Sequence, residues 1–256
     1  MPAQTLCGSV FAGTIKITIL KNRFTEDSMK KQEPIIELDL YLIRHGESRG
    51  NAGCSGENPD IKEASDPVLT EKGISQAEKA GAYLKSVDFD TVYSSALRRA
   101  VGTAAEILKC QPGEKALNIL PLLTEVGVSA EYNGASMEEI KDICPCARLA
   151  NGVDPSSSLV CHSVREDEEE TFSRAENALR YLRERYSGGE KVAVVSHAAF
   201  MTYFVLLIMG FRKTPPFDFE FYNTGITRIV FYKQGTNPFG DIVFEYMNET
   251  AHLKSK

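Results

Sequence analysis

From residue 37 onward, short and almost uninterrupted apolar runs alternate with stretches of helical periodicity, and this alternation constrains the fold most. The runs are "LDLYLI" (38–43), "FDTVYS" (89–94), "ALNIL" (116–120), "KVAVVS" (191–196), "ITRIVFY" (226–232) and "DIVFEY" (241–246). A strand that is apolar at successive positions has both faces covered, as in a parallel sheet between two layers of helices. Between the runs, Thr70 can cap a helix that carries Ile74, Ala77, Gly81 and Leu84 on one face. Leu97, Val101, Ala104 and Leu108 make a second stripe. Ser136 and Glu139 form a capping box for a helix running towards Ala150, and Phe172, Ala175, Leu179, Leu182 and Tyr186 mark another that stops at Gly188 and Gly189. The stretch "FMTYFVLLIMGF" (200–211) is shorter than the ~20 residues of a membrane span and suits a buried core helix. The pattern predicts an α/β three-layer sandwich with a mostly parallel central sheet flanked by helices. The last two strands, joined through "KQGTNPFG", add an antiparallel hairpin.

A chain of 256 residues with 43% hydrophobic and 25% charged residues is long enough for one large domain with a native-sized core. Residues 1–36 differ from the rest. "SVFAGTIKITILKNRF" reads as a strand or hairpin, and "TEDSMKKQEP" as a polar linker ending in Pro34. We therefore expect an N-terminal extension over 1–36, with Met29 an alternative start, and a domain over 37–256. The net charge of −6 argues against a nucleic-acid partner, which needs a basic face, but not against a small anion in a locally positive pocket. Six cysteines spread along the chain read as reduced thiols, and no signal segment is apparent, so a cytoplasmic protein with no membrane partner is expected.

Polar clusters stand at the ends of three of these strands. Arg44 and His45 follow "LDLYLI", Ser94 and Ser95 close "FDTVYS" with Arg98 and Arg99 in the next helix, and Ser196 and His197 follow "KVAVV". Ligands of open α/β sheets bind outside the carboxyl ends of strands, so the clusters should face one crevice. Two histidines, an arginine from each of two clusters and two helix N-termini suit a tetrahedral dianion such as phosphate. Taken singly, each group has an ordinary reading as a solvated strand end, a helix cap or a surface arginine. Their common topological position is what argues for a site.

"LIRHGESRGN" resembles the R-H-G-E/Q-S-x-x-N signature of the histidine phosphatase superfamily, the phosphoglycerate mutase-like proteins. "VYSSALRRAVGTAAEIL" resembles its S-x-L-x-R-A-x-x-T-A segment, which selects Arg99 over Arg98, and "VAVVSHAAF" its V-S-H-G-G segment. "NTGITRIVF", from Asn223, looks like the loop and strand that close the pocket. The resemblance implies that His45 is the nucleophile and forms a phosphohistidine, with Arg44, Arg99 and His197 binding the phosphoryl oxygens and Asn51 adding a contact. It also implies a general acid in "LPLLTEVGVSAEYNG", where Glu125 matches, Glu131 competes and Glu47 is third. Gly46 fits a place where backbone must approach the ligand. No metal or cofactor is implied.

Departures from the family pattern narrow the branch. Ala198 and Ala199 replace two glycines after His197, the mutase-like E-R-H-Y-G run is missing around Glu125, and the acid-phosphatase R-H-G-x-R-x-P run is absent. The resemblance thus favours a metal-independent phosphatase acting on a small phosphorylated substrate. A mutase-like phosphotransferase or a non-catalytic phospho-ligand-binding module are the alternatives, and oligomeric state is open. Residues 125–165 are expected to be a lid or insertion. Within them Cys144, Cys146, Cys161 and His162 have no common zinc spacing, although a redox-sensitive pair is compatible with them. The "REDEEE" run (165–170) reads as acids complementing a helix dipole.

Overall fold

Leu38, Leu40 and Leu42 on one side of the first strand, and Tyr41 and Ile43 on the other, are all buried, so this strand is covered on both faces. The computed structural model describes residues 33–54, 56, 59–160 and 166–254. The strand or hairpin expected over 9–24, the alternative start at Met29, and Cys161 with His162 lie outside the described residues. A compact unit begins at Pro34.

Seven strands form one sheet: β1 (Ile36–Arg44), β2 (Thr91–Ser94), β3 (Leu117–Ile119), β4 (Ala147–Leu149), β5 (Glu190–Ser196), β6 (Ile226–Tyr232) and β7 (Ile242–Glu249). Their order is β4-β3-β2-β5-β1-β6-β7. The first five pair in parallel, and β6 and β7 continue antiparallel beyond β1. The helices are α1 (Ile61–Ser65), α2 (Glu71–Leu84), α3 (Arg98–Lys109), α4 (Met137–Ile143), α5 (Glu168–Arg183) and α6 (Ala198–Ile208). Phe172, Ala178 and Leu182 of α5 and Phe200 and Phe204 of α6 pack with Leu38, Leu40, Val192 and Val194 on one sheet face. Leu84 of α2, Ala100 and Ile107 of α3 and Ile140 of α4 pack with Tyr41, Ile43, Ala193 and Val195 on the other. The expected three-layer sandwich is what the chain forms.

Local signals placed most helix starts. The Thr70 hydroxyl accepts the Gly73 amide at 3.0 Å, and Ser136 with Glu139 and Asp167 with Glu170 form capping boxes. The acids Glu168, Glu169 and Glu170 sit in the first turn of α5, where they complement its dipole.

Two expectations need correction. Ile74 is 42% exposed, because the inner face of α2 is built from Gly73, Ala77, Ala80, Gly81 and Leu84. A Cβ on Gly81 would lie 2.8 Å from the Glu106 carbonyl oxygen, so α2 and α3 meet backbone to backbone. The helix from Ser136 does not run to Ala150. Cys144 precedes Pro145 and adopts an extended conformation, as residues before proline prefer, which ends α4 at Ile143. The chain then forms β4 at the edge of the sheet, beside β3. Within residues 125–165, where a lid or insertion is expected, the chain forms α4 and β4.

Candidate active site

Strand register brings the sequence clusters together. Arg44 pairs with Ser196 across β1 and β5, and Ser94 with Val195 across β2 and β5. The next residue on each strand therefore emerges at one edge. The His45 amide donates to the Ser196 carbonyl at 3.0 Å and the Ser95 amide to that of Val195 at 3.1 Å. His197 then caps α6, and its ring lies 5.0 Å from that of His45.

His45 is 2% exposed. Burial, then the charges of Arg99 and Arg44, hold its pKa well below the ordinary 6.5, so the ring is neutral. Its Nδ1 lies 2.6 Å from the Gly46 carbonyl oxygen, which can only accept, so Nδ1 carries the proton and Nε2 keeps a free lone pair. Gly46 also meets a neighbouring stretch of backbone. A Cβ there would come within 2.4 Å of the Gly73 carbonyl oxygen, so the glycine admits the start of α2. The Gly46 amide is held by the Thr103 hydroxyl at 2.9 Å.

His197 is fully buried, and burial followed by the Arg99 charge keeps it neutral as well. Its Nε2 lies 2.6 Å from the Ser95 hydroxyl. That hydroxyl accepts the Leu97 amide and can donate its own proton to Nε2, the arrangement in which the ring proton sits on Nδ1. His197 Nδ1 and Arg44 Nε are both buried, and neither has a partner among the described residues. Arg44 Nη1 donates to the Phe221 carbonyl oxygen at 2.6 Å. Buried donors without partners are rare enough to mark a place for an anion.

Arg99 is 7% exposed and sits 3.6 Å from Asp66, a fully buried carboxylate. Asp66 also accepts the Arg98 amide at 2.8 Å and the Tyr132 hydroxyl at 2.9 Å. Arg98 turns away to the Asp66 carbonyl and to Glu63, so Arg99 is the arginine near the histidines. Asn51 directs its side-chain oxygen to Ser48 and Asn223, leaving its NH₂ as the donor side. Asn223 also donates to the His45 carbonyl, and Thr224 reaches the Arg44 carbonyl through a backbone φ of 55°.

Glu125 sits at the start of α6. One carboxylate oxygen accepts the Phe200 amide at 3.0 Å and the other the Ala199 amide at 3.4 Å, and its charge acts on both Arg44 and Arg99. The alanines that replace the family glycines leave α6 starting at Ala198. The competing acids lie elsewhere. Glu47 is tied to Thr70 and Lys72, and Glu131 is exposed, with its amide on the Ser129 hydroxyl.

Asp66, Thr103 and Tyr132 escaped the sequence reading. Only the placing of Asp66 just before the capped start of α2 hinted at a role. Cys144 and Cys146 have sulfurs 3.4 Å apart, and burial pushes the Cys144 thiol up to about 12, which makes it a poor thiolate. Among the described residues, no three His, Cys, Asp or Glu side chains gather as a metal group, and no helix is long and apolar enough to cross a membrane.

Sheet order and ligand edge together define the class, a phosphoglycerate mutase-like α/β sandwich. The chain is similar to phosphoglycerate mutase from Bacillus anthracis at 20% identity and a TM-score of 0.58, over 86% of this chain and 96% of that one. It is similar to phosphoserine phosphatase from Entamoeba histolytica, solved with 3-phosphoglyceric acid, at 25% identity and a TM-score of 0.55, over 85% of this chain and 100% of that one. In sequence it is 33% identical over 119 residues to fructose-2,6-bisphosphatase TIGAR from Xenopus laevis, covering 46% of this chain and 40% of that protein. Against the 2,3-bisphosphoglycerate-dependent phosphoglycerate mutase of Bartonella quintana it is 42% identical over 112 residues, 40% of this chain and 48% of that one. The chain thus spans less than half the length of these two relatives. The histidine phosphatase superfamily (branch 1) matches residues 40–238, and the chain belongs to that family.

Proposed function

We propose that the chain is a phosphatase that hydrolyses a small phosphomonoester through a phosphohistidine on His45, without a metal. The observation that carries this reading is a neutral, buried His45, its Nδ1 proton donated to Gly46, flanked by Arg44, Arg99 and His197. His45 Nε2 attacks phosphorus while the ester P–O bond breaks. Glu125 acts as the general acid and delivers a proton to the departing oxygen. Water then attacks the phosphohistidine and gives a proton back to Glu125, the P–N bond breaks, and inorganic phosphate leaves. Arg44, Arg99 and His197 Nδ1 hold the equatorial oxygens, and the two guanidinium charges supply the neutralisation that a metal provides elsewhere. Asn51 donates its NH₂ to the same phosphoryl group. We place the protein in the cytoplasm, on the free thiols of Cys54, Cys110, Cys144 and Cys146.

The test is phosphate release from 4-nitrophenyl phosphate in EDTA by wild type and His45→Ala, with an alkaline detergent quench to trap a phosphoenzyme. Wild type should turn over and accumulate base-stable, acid-labile phosphate, and the variant should lose at least about a thousandfold. Activity that survives the substitution would overturn the mechanism. The matches to phosphoglycerate mutases favour a second reading, transfer to an acceptor other than water. Supplying 3-phosphoglycerate separates the two, since hydrolysis releases phosphate and transfer yields an isomer.

A further inference from the structure

We propose that the substrate's leaving group is uncharged and largely apolar, so that the site prefers monophosphate esters of apolar alcohols to bisphosphates. This rests on the phosphatase reading above and names the substrate class of that site.

The general acid must touch the departing oxygen, so the leaving group lies on the side of Glu125. The residue whose amide meets Glu125, Ala199, also lines a groove of about 500 Å³. That volume is within the usual range of small-molecule sites. The groove is walled by Ala199, Thr202 and Tyr203 of α6 and by Thr214, Pro215, Pro216 and Phe217 of the loop that follows, an apolar surface broken by two threonine hydroxyls. Phe217 is 49% exposed, a large apolar surface left open to solvent. It stacks edge-on to Phe219 at 5.8 Å, and Phe219 lies 6.1 Å from Phe221, whose carbonyl oxygen holds Arg44. An aromatic ladder thus leads from the groove to the phosphate arginine.

Charge points the same way. The charged residue lining this groove is Asp218, and Glu220 acts on Arg44 from the same loop. Among the described residues, two nearby arginines are engaged elsewhere. Arg174 is bound to Glu166 by two hydrogen bonds, and Arg212 to Glu176. Lys213 lines a separate acidic groove with Asp167, Glu168 and Glu169. A second phosphoryl group on the leaving alcohol would meet Asp218, with no cation among the described residues that line the groove, which selects against it.

The experiment compares benzyl phosphate, glycerol 3-phosphate and fructose 2,6-bisphosphate. We expect kcat/KM to favour benzyl phosphate over glycerol 3-phosphate by about tenfold or more, with the bisphosphate lowest. Phe217→Ser should bring the benzyl-to-glycerol ratio towards one, while Phe217→Leu retains most of it. Calorimetric affinities of the same three esters for His45→Ala give the order without chemistry. If wild type hydrolyses none of them, the phosphatase reading falls, while the affinity order still decides this one. A bisphosphate that matches or exceeds benzyl phosphate, or a ratio unmoved by Phe217→Ser, overturns the proposal.

Discussion

Arg99 meets two kinds of neighbour, the histidines of the site and the buried Asp66, and the second fixes how it meets the first. Burial raises the pKa of Asp66, while Arg99, the Tyr132 hydroxyl and Arg98 pull it back. Asp66→Asn keeps the shape and removes the charge, so Arg99 loses its counter-ion but not its packing. We expect kcat to fall roughly tenfold to a hundredfold with a smaller change in KM, as a positioning residue for the transition state requires. A matching fall in melting temperature, with kcat per folded molecule unchanged, would reduce Asp66 to a packing role. Glu125→Gln gives a complementary result. Losing the proton donor should cost about a hundredfold on benzyl phosphate and far less on 4-nitrophenyl phosphate, whose leaving group needs no proton. Arg44, His45 and His197 were legible because each stands where an apolar run ends, and Arg99 because the family segment selects it over Arg98, which opens the helix after one. Asp66 and Tyr132 sit in loops, 66 positions apart, where no periodicity announces a contact.

Between elements, the tightest requirement is where the start of α2 meets the loop after β1. A Cβ on Gly73 would lie 2.0 Å from the Glu47 carbonyl oxygen, and backbone cannot swing aside as a side chain can. In an open helix, glycine to alanine stabilises by about 1 kcal/mol. Here Gly73→Ala should instead destabilise by about 1–3 kcal/mol, as overpacking does, and should lower kcat, because the displaced loop carries the Gly46 carbonyl that fixes the His45 tautomer. Urea unfolding and steady-state kinetics on one preparation check both effects, and a stabilised, fully active variant would show that the loop yields. The long elements could be read from sequence because their burial repeats. Two short ones could not. The five residues of α1 bury nothing, and the three of β4 follow Pro145 at a sheet edge whose Arg148 is exposed. For pieces this short, tertiary pairing decides the conformation rather than periodicity.

On the scale of the whole molecule, an acidic chain folds around two uncharged histidines placed between two arginines, and the arrangement has a thermodynamic signature. Burial and the arginine charges hold both histidines well below 6.5 in the folded state, whereas in the unfolded chain they titrate near that value. Below about pH 6.5 the unfolded chain therefore takes up protons that the folded chain does not, and stability is lost as the pH falls. The slope is at most about 1.4 kcal/mol per pH unit for each histidine. His252, which burial also holds down, adds to the same trend. Comparing wild type with His45→Asn cancels that contribution and those of the carboxylates. Urea unfolding at pH 7.5, 6.5 and 5.5 should show a stability gap between the two proteins that shifts in favour of the variant by up to about 1 kcal/mol between the last two points. A gap constant with pH would mean that folded His45 binds a proton as readily as a free imidazole. Its neutral, nucleophilic form would then fall away below about pH 6.5, and activity with it, instead of being held to lower pH in the folded state.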